Sequence, residues 1–204
     1  MSSLVPVIGI LFAAAITPGP NNVIVMEAGA RSGIGAALVA TVGVVAGSLL
    51  LLALVTVGVG AAVERWPAIQ LALSIAGGMY LAWLGISLVM RSGSRVANAP
   101  GSALPATPLG IAMFQLLNPK AWILVTTAAT AMPDMRDTST LALLLVVVTT
   151  VCLALWGTAG ALSARVLARP AARLWFDRGM GALMAIFAIG IAAEAVREWT
   201  RTLA

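Results

Sequence analysis

Histidine is absent from this chain of 204 residues, and cysteine occurs once, at Cys152. Those two shortages exclude a His/Cys metal centre and any intramolecular disulfide. Cys152 lies in an apolar run and reads as a small packed core residue. Charge is scarce as well. Only 9% of the residues are charged, where a soluble domain carries about 25%. No basic cluster interleaved with aromatics accompanies the net charge of +5, so nucleic acid is excluded as a partner. No G-x-x-x-x-G-K-[ST] stretch occurs, and neither ATP nor any other cofactor is expected. A metal exporter would want histidines, thiols or several intramembrane acids. An intramembrane enzyme would want a nucleophile with a base, or a metal set; pairing of Ser with Lys across spans is not readable from sequence. No Lys or Arg precedes Arg31. A cleavable signal peptide needs a positive start, so the first apolar span is expected to be retained.

What is present in excess is apolar surface. Hydrophobic residues make up 61% of the chain and run its whole length. An all-α, polytopic membrane protein is expected, since six spans of about 20 residues take up about 120 residues and leave short loops. The chain is organised around Thr17-Pro18-Gly19-Pro20-Asn21-Asn22, inside an apolar run from near Leu4 to near Ala30. Each proline removes a backbone donor and clashes with the preceding turn. Within a bilayer such a break survives only where protein or a water-filled cavity satisfies the freed groups. A second break, Asn118-Pro119-Lys120, interrupts a later apolar run. Paired interruptions in corresponding positions of two halves point to a transporter site.

Span 1 is expected over 4–28, with a new helical segment starting near Asn21 and Asn22. Asn is a good N-cap, and the positive end of a helix can hold a carboxylate on its backbone N–H groups. A proline kink with satisfied asparagines is the plainer alternative. Glu27 and Arg31 share a helix face four residues apart. They read either as an interfacial pair reaching for the headgroups or as a proton or cation site at Glu27. Arg31-Ser32-Gly33-Ile34-Gly35 predicts a tight turn into span 2, over 36–62. There Gly43 and Gly47 allow close helix approach, within one subunit or between subunits of a homo-oligomer. Span 3 is expected over 68–90, where Tyr80 either lines a path, anchors at the interface or packs.

Residues 91–108 read as a polar linker. Span 4 follows over 109–131 with Gln115 in its first half. Lys120 lies about 11 residues from the start of that span, some 16 Å of helix and half a bilayer. A charge at midplane costs about 2.5–3.5 kcal/mol, which makes Lys120 a candidate functional residue; the plainer reading lets it snorkel. Span 5 is expected over 139–162. A basic loop with one acid, Asp177, reads as topological, and span 6 covers 179–196.

Basic residues set orientation. Arg31, Arg91, Arg95, Arg165, Arg169, Arg173 and Arg178 fall on one side; Arg65, Arg136, Arg197 and Arg201 fall on the other, beside acids. The first set is expected to be cytoplasmic, which puts both termini outside. Three spans per half force the halves into opposite orientations. The chain thus reads as a first three-helix repeat (1–90), a cytoplasmic linker (91–108) and an inverted second repeat (109–204), with helices 1 and 4 broken. Gly78 follows Pro18 by 60 residues and Gly181 follows Pro119 by 62, in keeping with such a repeat.

The stretches T-P-G-P-N-N, G-G-M-Y-L-A-W-L-G and L-L-N-P-K-A-W resemble the LysE/RhtB amino-acid exporter family, and the resemblance covers nearly the whole chain. It implies export of an amino acid from the bacterial cytoplasm across the inner membrane, linked to the proton-motive force. Carried over by motif, Thr17, Pro18, Gly19, Pro20, Asn21 and Asn22 match the first signature, and Asn118, Pro119 and Lys120 the second. With Gln115 these residues form the expected substrate site. Many relatives have Asp where this chain has Asn21, which leaves Glu27 as the acid of span 1 for proton or cation coupling. The alternatives are export of another small solute or ion, and a structural membrane subunit that transports nothing.

Overall fold

The computed structural model describes residues 4–91, 107–131 and 135–203, all of them helical or in short turns. Most of the expected linker, 92–106, and residues 132–134 lie outside the described residues. Among the described residues eight helices follow in order: α1 Leu4–Ile16, α2 Pro20–Thr56, α3 Val59–Arg65, α4 Pro67–Arg91, α5 Pro108–Leu116, α6 Pro119–Thr130, α7 Met135–Leu167 and α8 Pro170–Leu203. Four are long and apolar enough to cross a membrane, and the bent pair α5/α6 makes a fifth candidate. α1 is apolar but only 13 residues long, about 20 Å, too short to cross a bilayer alone.

Both expected breaks are present. At the first, α1 ends at Ile16 and α2 starts at Pro20, with Gly19 extended at the N-cap position. The asparagines are therefore not the cap: Asn21 and Asn22 fall inside the first turn. Proline takes the first helical position because its fixed φ suits it and its missing N–H would be unpaired there anyway. At the second, α5 and α6 meet at an angle of 71°, with Asn118 as N-cap and Pro119 opening α6.

The tight turn expected at 31–35 is a single-residue break. α2 is helical through this region except at Gly33, with φ 80° and ψ −176°, a conformation open essentially to glycine. Span 2 ends earlier than expected, at Thr56, because Gly58 turns the chain at φ 90° into the short α3. The basic run 165–178 is not a loop. Leu167 closes α7 and Pro170 opens α8, so Arg173 and Asp177 stand one turn apart on a helix.

α2 is the hub. It packs along α7 and against α5, while α4 packs on α8. Small residues set these approaches. A Cβ at Gly47 would lie 2.6 Å from the Ala112 carbonyl, and one at Gly43 2.8 Å from the Pro108 carbonyl. The pair therefore serves contact with α5 inside the subunit. Two apolar clusters result. One joins Val23, Ile24, Val44, Leu81, Phe114, Leu153 and Met184; the other joins Val7, Leu11, Leu51, Ala121, Val125 and Leu145.

Candidate functional site

The polar residues gather at the seam between those clusters. A cavity of about 50 Å³ is walled by Gly19, Pro20, Asn21, Asn22, Ser48, Gln115, Asn118, Lys120 and Thr149, among apolar neighbours that include Val44, Leu145 and Leu153. Seven of the ten expected substrate-site residues line it. Of the other three, Thr17 and Pro18 lie just before it in the first break, and Pro119 starts α6. Thr17 contributes through its backbone: Lys120 Nζ donates to the Thr17 carbonyl at 3.4 Å, across 103 residues of sequence. The two breaks are thus joined by one ammonium group. Gly19 permits the approach, since a Cβ there would sit 3.2 Å from Lys120 Nζ.

A hydrogen-bond chain orients the second wall. Ser48 Oγ donates to the Val44 carbonyl at 2.9 Å, a group that can only accept. Its lone pairs are left to accept from Gln115 Nε2 at 2.8 Å. Gln115 Oε1 then accepts from Asn118 Nδ2 at 3.1 Å. Among the described residues, the chain leaves Asn118 Oδ1 buried with no partner, and Asn21 Oδ1 is likewise unpartnered. A buried acceptor without a donor costs about 1–3 kcal/mol. Two of them in one small cavity define a site lacking a donor. On the first wall Asn22 Nδ2 donates to the Ala15 carbonyl at 2.9 Å.

Two tryptophans satisfy carbonyls that the breaks set free. Trp156 Nε1 donates to the Ile16 carbonyl at 3.2 Å, and Trp122 Nε1 to the Leu116 carbonyl at 2.8 Å. Each upstream half-helix is closed by an indole. Each downstream half-helix presents its positive end beside the cavity. The arrangement offers Lys120 and two helix N-termini to an anion, and two carboxamide oxygens to a cation.

Glu27 is elsewhere. It is 1% exposed, so its carboxylate does not itself reach outward, although the Arg31 side chain is 34% exposed; Glu27 does not line the cavity. Arg31 Nε donates to its Oε1. Arg31 also stands 3.6 Å from Asp177 Oδ1, and Arg173 lies 3.8 Å from Asp177 Oδ2. Two buried carboxylates and two arginines form a compact cluster between α2 and α8. Tyr80 is half-buried against Phe114 at 4.9 Å between ring centroids, so it packs. Cys152 is buried, as expected of a core residue. Ser48, Thr149, Trp156 and Asp177 were not expected at any site. Ser48 carried a signal, two turns from Thr41 and one from Val44 beside the small residues of α2; Asp177 carried none.

This fold and this chamber define a multi-pass membrane protein built around interrupted helices. The chain belongs to the LysE type translocators, whose family model matches residues 12–195, as the motif resemblance implies. It is 31% identical over 149 residues to the leucine efflux protein of Enterobacter sp. (strain 638), covering 71% of this chain and 69% of that one. It is 27% identical over 122 residues to an uncharacterized membrane protein of Pseudomonas aeruginosa, covering 56% of each. No solved structure matches. The chain is therefore a transporter rather than an enzyme, embedded in lipid and acting on a small molecule.

Proposed function

We propose that the protein exports a small zwitterionic amino acid across the bacterial inner membrane by alternating access. One observation carries this reading: both broken helices meet at a cavity holding Lys120 and two unpartnered carboxamide oxygens. The substrate carboxylate takes Lys120 and the half-helix N-termini at Pro20 and Pro119. The ammonium group takes Asn21 Oδ1 and Asn118 Oδ1. Leucine is the first substrate to test, because the Enterobacter relative is named a leucine efflux protein.

Six crossings as two inverted repeats, 1–90 and 109–204, are the topology proposed for this activity. The length of α2 supports it: 37 residues make about 55 Å of helix, against about 30 Å of hydrocarbon. Broken at Gly33, α2 divides into one arm that completes the crossing begun by α1 and a second arm that crosses by itself. Both termini then lie outside. Glu27 enters as the coupling residue. Its cluster with Arg31, Asp177 and Arg173 closes the cytoplasmic end, and a proton delivered to a buried carboxylate there loosens the closure.

Counterflow of labelled leucine in proteoliposomes tests the reading. Wild-type protein should exchange it, and Lys120→Ala should abolish exchange at unchanged membrane abundance. Exchange by Lys120→Ala at the wild-type rate would remove Lys120 from the mechanism.

A further inference from the structure

A second cavity, of about 570 Å³, opens between α1 and α6 on one side and α4 and α8 on the other. Its walls are largely apolar, among them Ile123, Leu124, Ile186, Phe187 and Ile191. It shares Ala14, Lys120 and Leu124 with the polar chamber, so Lys120 stands where the two spaces meet. The chamber itself, at about 50 Å³, has room for one or two waters at roughly 30 Å³ each. It accommodates the polar atoms of an amino-acid head group and no side chain.

We propose that the larger cavity is the side-chain subsite, and that it selects amino acids with a bulky aliphatic side chain. This rests on the amino-acid reading above. With the carboxylate on Lys120, the side chain leaves the chamber past Ala14 and Leu124 into the apolar space. Glu194 and Glu198 line the same cavity and are exposed. Glu194 is paired with Arg197 at 3.7 Å, so that pair holds no free cation out to a second acidic group on the substrate. An acyl chain of a lipid is the competing occupant, but it leaves Lys120 at the inner end without an anion. Burial contributes about fourfold per methylene. Leucine should therefore bind roughly fiftyfold more tightly than alanine, which has three fewer carbons.

Gly190 provides the test. It lines the cavity, and a Cβ built on it meets nothing within 4 Å. Gly190→Leu therefore adds bulk at this wall with a Cβ that meets no clash, and leucine is a far better helix former than glycine. In proteoliposome exchange, Gly190→Leu should cut the preference for leucine over alanine at least tenfold. An unchanged preference in an exchanging variant overturns the subsite. Absence of amino-acid exchange in the wild type overturns the transport reading itself, and the subsite with it. Gly190→Cys supplies a binding readout, since Cys152 is buried and escapes labelling. Leucine should slow maleimide labelling of that cysteine, with alanine and glutamate far weaker. Labelling indifferent to leucine, or blocked by lipid under every condition, overturns the proposal.

Discussion

Removing Arg31 tests the buried charge cluster with an internal control. Glu27 and Asp177 have side chains 1% and 2% exposed, whereas the Arg31 side chain is 34% exposed. Breaking a buried pair by deleting one partner costs about 3–5 kcal/mol, because the remaining charge is stranded. Two features lower that figure here. Water reaches the Arg31 head, and Asp177 keeps Arg173 at 3.8 Å. Arg31→Met should therefore destabilise the protein by about 2–3 kcal/mol, or roughly 5–10 °C in Tm for a chain of this size. Arg197→Met is the control: its pair with Glu194 is 3.7 Å long, with side chains 72% and 56% exposed. That pair should contribute under about 1 kcal/mol. The double variant Arg31→Met/Glu27→Leu removes the stranded carboxylate and should recover at least half of the loss, a coupling of about 1 kcal/mol or more. The assay is thermal unfolding in detergent followed by tryptophan fluorescence. If Arg31→Met melts with Arg197→Met, the cluster holds nothing together and its role as a closure is refuted.

Two further outcomes concern transport. Glu27→Gln should retain leucine counterflow and lose most accumulation driven by an imposed pH gradient; gradient-driven accumulation at the wild-type level would remove Glu27 from coupling. Ser48→Ala deprives Gln115 Nε2 of its acceptor and frees the Gln115 and Asn118 amides to reorient. It should raise the apparent KM about fivefold to tenfold, in keeping with one neutral hydrogen bond of about 1 kcal/mol or slightly more, and an unchanged KM would show that the chain does not set Asn118.

The parts of the site legible in sequence were those carried by backbone chemistry. Prolines at 18, 20 and 119 break helices wherever they stand in such a run, and Lys120 stands out as a charge inside an apolar segment. Both readings rest on local rules, and both breaks occur where the residues put them. Three misreadings share one cause, the treatment of turn residues and charge as loop signals. Gly33 absorbs a whole turn in one residue by adopting a conformation that other residues avoid. The arginines at 173 and 178 sit on α8, and Asp177 among them is buried by contact with Arg31, which is 146 residues away. The asparagines were read as a cap, yet proline at the first helical position moved the cap to Gly19. The chain Val44–Ser48–Gln115–Asn118 was illegible because it needs α2 against α5. That approach depends on Gly43 and Gly47, whose partner helix no local pattern names. The larger cavity was invisible for the same reason, being a space between four helices rather than a property of any one.

Central to all of this is the meeting of the two breaks at one chamber. Lys120 is the single lysine of the chain, and a Cβ at position 19 would lie 3.2 Å from its Nζ. Gly19 has an extended backbone, φ −164°, which cysteine also adopts, and the end of the flexible Lys120 side chain gives way by a few tenths of an ångström to admit its Cβ. In Gly19→Cys protein, with Cys152 replaced by alanine, a short thiol-to-amine cross-linker should join residue 19 to Lys120 in good yield, as read by mass spectrometry of the digested chain, and excess leucine should suppress the link. A Lys120 that reacts with the linker yet never joins residue 19 would contradict the account.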